Sequence, residues 1–171
     1  MALVLDGSAG VTFPVVAGGT SAVQASSGKV LQVVQSVTLT NTSTTSATPV
    51  TTGISASITP SSNTSKVLVF IDTQVVTNTT GNGIGILLYR GGSVVKNSAI
   101  DSGTSYYTQY AYTARNWMQQ SITYLDNPAT TSSTTYTIYF ASYTSGSTVQ
   151  IGGGSSPNYY PTTITLMEIA A

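Results

Sequence analysis

The chain has 171 residues, only 6 % of them charged, with five basic and five acidic side chains and neither histidine nor cysteine. That length suits one domain with a real core. The composition excludes disulfides and thiolate chemistry, zinc or copper sites of ordinary type, a serine–histidine relay, and a basic surface for a phosphate backbone, so no metal, no cofactor and no nucleic-acid partner is expected.

Residues 1–35 read as an opening apart from the rest. Short apolar pieces, Leu3, Val4 and Leu5, then Val11 and Phe13, then Val30 to Val34, are separated by Gly, Ser and Ala. Each piece is too brief to build a core, so the expectation is an extended N-terminal arm that docks on something else. The basic and apolar regions of a signal peptide are absent from "MALVLDGSAG", and no run is long enough to span a bilayer, so membrane insertion is not expected.

From residue 36 to 171 strand signals recur at short intervals, and this span is expected to form the head domain. In "SVTLTNTSTT" Val37 and Leu39 share a face, and in "GISASITP" Ile54, Ala56 and Ile58 point inward with Ser55 and Ser57 outward. The segment "KVLVFIDTQVV" is apolar on both faces from Val67 to Ile71, which places it inside a stack of sheets or at a subunit interface. Asp72 shares the parity of Leu68 and Phe70. "IGILLYR" and "SVVKNSAI" flank Gly91-Gly92, a strong signal for a two-residue hairpin. In the aromatic stretch that follows, Tyr110, Tyr112 and Trp117 are expected between the sheets. Tyr106 and Tyr107, with Tyr159 and Tyr160 in the later loop "SSPNYYP", are the candidate ligand contacts, because tyrosine offers large contact area at small entropic cost. "YTIYFASY" sets Tyr136, Ile138 and Phe140 against Tyr139, and "TTITLMEIAA" closes the chain as a strand. No segment sustains a 3.6-residue period. The fold class expected is all-β, an antiparallel jelly-roll sandwich.

Acids are scarce, so each is weighed for catalysis. A pair of carboxylates can hydrolyse a glycosidic bond without histidine, but Asp6, Asp72, Asp101, Asp126 and Glu168 fall in no recognisable motif. Asp72 is read as a structural acid held by a strand hydroxyl, Lys66 or Arg115, and Arg90 as a strand-end partner of an acid. The glycines of "GNGIGILLYRGG" lead into a strand rather than a helix, which disqualifies them as a phosphate loop. The chain is expected not to be an enzyme.

The stretches "ITPSSNTSKVLV", "LDNPATTSSTTYTIYF" and "TLMEIAA" resemble the head domain of bacteriophage tail-fibre and virion surface proteins, especially those of cyanobacterial and marine phages. That domain is similar to the trimeric jelly roll of the C1q and tumour-necrosis-factor group, and the resemblance covers roughly residues 29–171. "LDGSAGVTFP" resembles the short segment that precedes such heads. The resemblance implies a homotrimer with its continuous apolar strands towards the three-fold axis, made in the host cytoplasm and carried on the particle surface. It further implies an arm attached to other virion proteins, of tail or capsid, and a head exposed to host glycan or protein. A capsid decoration protein that strengthens the lattice is the alternative, favoured by the lack of a long stalk. A carboxylate-dependent envelope glycosidase is the lesser one.

Overall fold

A computed structural model describes residues 4–6, 10–12, 28–97, 100–101, 106–107, 109–111, 116–152 and 160–171, with side chains described for 28–97, 117–152 and 160–171. The regular structure among them is strand throughout. In chain order these are β1 (Val4–Asp6), β2 (Gly10–Thr12), β3 (Val30–Thr38), β4 (Thr42–Thr44), β5 (Val50–Ile58), β6 (Lys66–Thr77), β7 (Asn82–Arg90) and β8 (Ser93–Asn97). Then come β9 (Ile100–Asp101), β10 (Tyr106–Tyr107), β11 (Gln109–Ala111), β12 (Asn116–Asp126), β13 (Thr134–Ser142), β14 (Val149–Ile151) and β15 (Thr162–Ile169).

Two antiparallel sheets carry the fold. In the first, β6 is central: β12 runs along one edge of it, β15 and β14 share the other, β3 lies beyond β15, and β4 beyond β14. In the second, β13 separates β5 from β7, and β8 and β11 share the far edge of β7. The chain crosses between the two sheets at β4 to β5, β5 to β6, β6 to β7, β11 to β12, β12 to β13 and β13 to β14, which gives a jelly roll rather than two meanders. The β3 ladder begins at Val30, so the first sheet draws on residues 30–35 as well as on the span from 36 onward.

Alternation decides the core. Ile54, Ala56 and Ile58 face inward from β5, as their spacing predicts, and meet Val67, Val69 and Ile71 of β6. Tyr136, Ile138 and Phe140 are fully buried on β13, with Ile164 and Leu166 on β15 and Ile84, Ile86 and Leu88 on β7. Burying each such side chain stabilises the sandwich by about 1.5–3 kcal/mol. At the hairpin between β7 and β8, Gly91 and Gly92 take φ of 54° and 89°. Consecutive positive values are what a primed turn requires, and only glycine adopts them without strain. Gly53, at φ 82°, sits where the pairing of β5 with β13 slips between Thr137 and Tyr139. The bulge bends this edge strand.

Trp117 departs from expectation. The pairing of Trp117 with Val76 puts it on the outward parity of β12, where it is 42 % exposed instead of lying between the sheets. Tyr110 belongs to β11, and Tyr112 falls outside the described residues.

Candidate interaction surface

The outward face of the first sheet is the most unusual surface of the molecule. Register sets its rows. Val33 of β3, Met167 of β15, Leu68 of β6 and Leu125 of β12 lie side by side across four strands. The next row along the strands is Gln35, Thr165, Phe70 and Thr123, and the one after it is Val37, Thr163, Asp72 and Ser121. In the other direction Ile169 pairs with both Val30 and Lys66. Val30, Val33, Val37 and Leu125 are each a little over half exposed, and Leu31 nearly so. Leu68, Phe70, Met167 and Ile169 are half-buried by their neighbours.

This settles what the two-sided run at Val67 to Ile71 means locally. One face is sealed in the core, at 0–1 % exposure for Val67, Val69 and Ile71, and the other forms the middle of the outer patch. An antiparallel sheet that faces water normally alternates apolar inside with polar outside. Here one whole row, Val33, Met167, Leu68 and Leu125, is apolar, and Phe70 on one side and Val30 and Ile169 on the other extend it, while the rest of the rows of Gln35 and Asp72 is mostly polar. Single exposed apolar side chains need no explanation, but a contiguous patch marks a contact surface.

Asp72 stands near one end of this face, exposed, with its Oδ1 accepting a hydrogen bond from Gln119 Nε2 at 2.6 Å. Among the described residues the partner is a cross-strand amide rather than a hydroxyl or Lys66, and Arg115 lies outside the described residues.

Two other acids hold the sandwich together from within. Arg90 Nη1 of β7 donates to Asp126 Oδ2 of β12 at 2.6 Å, and Tyr136 Oη of β13 donates to the same oxygen at 2.6 Å. One carboxylate thus ties the two sheets together at their edge, as expected of a strand-end arginine. Burial, and then the bond to Asp126, push the Tyr136 phenol far above its usual range. For Arg90 partial burial works against the charge, but the hydrogen bond and charge of Asp126 outweigh it and raise the pKa.

Glu168 is fully buried on the inward parity of β15. Its Oε1 accepts from the Ser61 amide and hydroxyl, both at 2.7 Å, and its Oε2 from Gln32 Nε2 at 2.6 Å. Burial alone would raise its pKa. The Gln32, Ser61 and Ser65 donors more than reverse that and hold it at about 2. The acid pins the 59–65 loop to the end of the first sheet. With these engagements, Asp72, Asp126 and Glu168 each have a structural assignment.

The other candidates are placed only in part. Tyr106 and Tyr107 form β10, pairing with Asp101 and Ile100 of β9, and this short strand lies against β7 and β13. Tyr160 is 50 % exposed, and Tyr159 lies outside the described residues. In the arm, Leu5 pairs with Val11 and Val4 with Thr12, so β1 and β2 form a hairpin with each other. Leu3 and Phe13 lie outside the described residues. Sequence reading missed the stacking of Tyr89 on Tyr139, 3.9 Å between ring centres. These rings lie on neighbouring strands two residues out of register, a diagonal pair on one face, so only a known register brings them together.

No family model and no curated protein matches the chain. Among solved structures, it is similar to chains described as "Structure of infectious bursal disease virus Gx strain" and "Crystal structure of infectious bursal disease virus VP2 subviral particle". Each match covers 83 % of this chain at 15 % sequence identity, with TM-scores of 0.40 and 0.39. The chain spans 38 % of the length of those chains. Likeness at this distance carries no argument about role.

Proposed function

We propose that this chain is a non-enzymatic virion structural protein: a homotrimeric jelly-roll head, anchored to the particle through residues 1–35 and exposed to the host surface. The observation that carries the reading is the apolar outer face of the first sheet. Four strands spaced about 4.8 Å apart and some nine residues long present a face of about 600 Å² in projection. A stable contact buries about 800 Å² per partner. The whole face, an apolar centre with mostly polar rows towards one end, is thus close to one contact in size, and identical copies closing into a ring cover it without leaving an open, fibre-forming end. The resemblance of "ITPSSNTSKVLV" and "TLMEIAA" to phage head domains supports both the number three and the virion setting.

The acids support the non-enzymatic half of the reading. Asp126 and Glu168 are buried and accept hydrogen bonds from internal donors, and Asp72 is engaged by Gln119. A glycosidase needs two carboxylates facing a shared, open site. Activity on purified host envelope glycan, lost on Asp72→Asn, would overturn this half.

The experiment that tests the role is labelling of the protein in images of the intact particle. Density at the tail, in a few copies, is the result expected of a host-binding head. Hundreds of copies spread over the capsid lattice would transfer the assignment to capsid decoration. Absence from the purified particle would overturn the virion reading altogether.

A further inference from the structure

The two sheets part on the flank where β3 and β4 face β5, leaving a cleft of about 320 Å³. Ser36, Thr38, Thr40 and Thr42 line one side and the 52–55 segment of β5 the other, where the buried Ile54 shows little surface. The volume lies at the lower end of ligand pockets, about 300–1,000 Å³, and equals on the order of ten waters at about 30 Å³ each. No charged side chain is among the lining residues.

The state of the hydroxyls matters most. Thr42 Oγ1 donates to the Thr52 carbonyl at 3.2 Å and is left as an acceptor, whereas Thr52 Oγ1 both donates to the Ile138 carbonyl at 2.8 Å and accepts from the Ile54 amide at 3.2 Å. Thr38 Oγ1 accepts from the Thr40 amide at 3.0 Å and keeps its proton to donate. Among the described residues, the Ser36 and Thr40 hydroxyls make no hydrogen bond and can turn either way. The cleft therefore offers an oriented acceptor, an oriented donor and two adjustable hydroxyls, with no charge among them.

From this arrangement the geometry points to a binding site for one or two rings of a neutral saccharide, with ring hydroxyls on the serine and threonine hydroxyls of β3 and the segment after it. A sugar hydroxyl both donates and accepts, and so uses the mixed set fully. An acidic or amino sugar would bring a charge that no lining group balances, and pays desolvation without return. The inference deepens the host-surface reading and rests on it for the class of ligand. It places the contact on the flank beside β3 instead of on the tyrosines.

The test is titration of the full-length protein with neutral methyl pyranosides (mannoside, glucoside and galactoside), followed by backbone amide NMR shifts, with glucuronate and glucosamine as charged counterparts. At least one neutral pyranoside should give saturable, millimolar shifts confined to residues 36–42 and 52–55. The charged sugars should bind at least about tenfold more weakly. Ser36→Ala combined with Thr40→Val removes the two free hydroxyls without touching an internal bond, and should weaken binding about tenfold with an unchanged melting temperature. Undiminished binding by that variant overturns the inference. So does the absence of saturable shifts at these amides. Saturable shifts at residues 106–107 or 160 instead would overturn the cleft while leaving the adhesive reading in place.

Discussion

Replacing Glu168 by glutamine removes the charge that fastens the 59–65 loop while keeping the side chain's size. The folded protein holds this carboxyl at about 2, against an ordinary value of 4.5. That difference corresponds to roughly 3 kcal/mol at about 1.36 kcal/mol per pH unit. Although the side chain itself is covered, little protein lies over it, so solvent screening reduces the figure to about 1–2 kcal/mol. The new amide also turns a donor towards Gln32 Nε2, adding about 1 kcal/mol or more for the mismatch. The unfolded chain binds the proton across the window from 4.5 down to 2, so this stabilisation is complete above pH 4.5 and drains away as pH falls towards 2. Thermal unfolding followed by circular dichroism reads both effects. Glu168→Gln should melt about 4–10 °C below the parent at pH 7, at about 2–4 °C per kcal/mol. The gap should narrow as pH falls below 4.5. Equal melting at pH 7, or a gap that stays constant to pH 2, would refute the clamp.

Other expectations follow from the same geometry. Asp126→Ala leaves the buried Tyr136 hydroxyl and Arg90 without their shared acceptor and should cost about 1–3 kcal/mol in urea unfolding. An unchanged midpoint would mean the pair does not tie the sheets together. Gly92→Val, at φ 89°, forces a β-branched residue into left-handed backbone and should lower stability by about 1–2 kcal/mol. Gly92→Asn, a residue that tolerates left-handed backbone, is the control and should cost less. Asp72→Asn keeps an acceptor for Gln119 at an exposed site, so stability should move by less than about 1 kcal/mol and binding to host cells should persist. Loss of binding by a normally melting Asp72→Asn protein would make this acid functional.

Much of the fold is legible in the sequence because strand parity is a local property. Ile54, Ala56 and Ile58 announce their face by spacing alone, and Gly91-Gly92 announces its turn by the backbone values it demands. What parity cannot supply is register. Trp117 looks like a core residue until its pairing with Val76 assigns it to the outer face. Glu168 shares its parity with Ile164 and Leu166, which reads as an acid in the core, but its donors come from Gln32 and Ser61, far away in the chain. The hydroxyl cleft had a signal, the threonines at every second position in "TLTNT", yet those residues gain meaning only when β5 is seen opposite them. The two-sided apolar run of β6 was informative throughout: one side is core, and the other is the centre of the exposed patch.

The central claim is that this patch is covered by identical copies. Sedimentation equilibrium of the full-length protein at micromolar concentration tests it directly, beside Leu125→Asp, a change at a residue already 53 % exposed that a lone subunit tolerates. The account predicts three-subunit mass for the parent and single-subunit mass for the variant, with unchanged circular dichroism. A parent that sediments as a stable, soluble single subunit would contradict it.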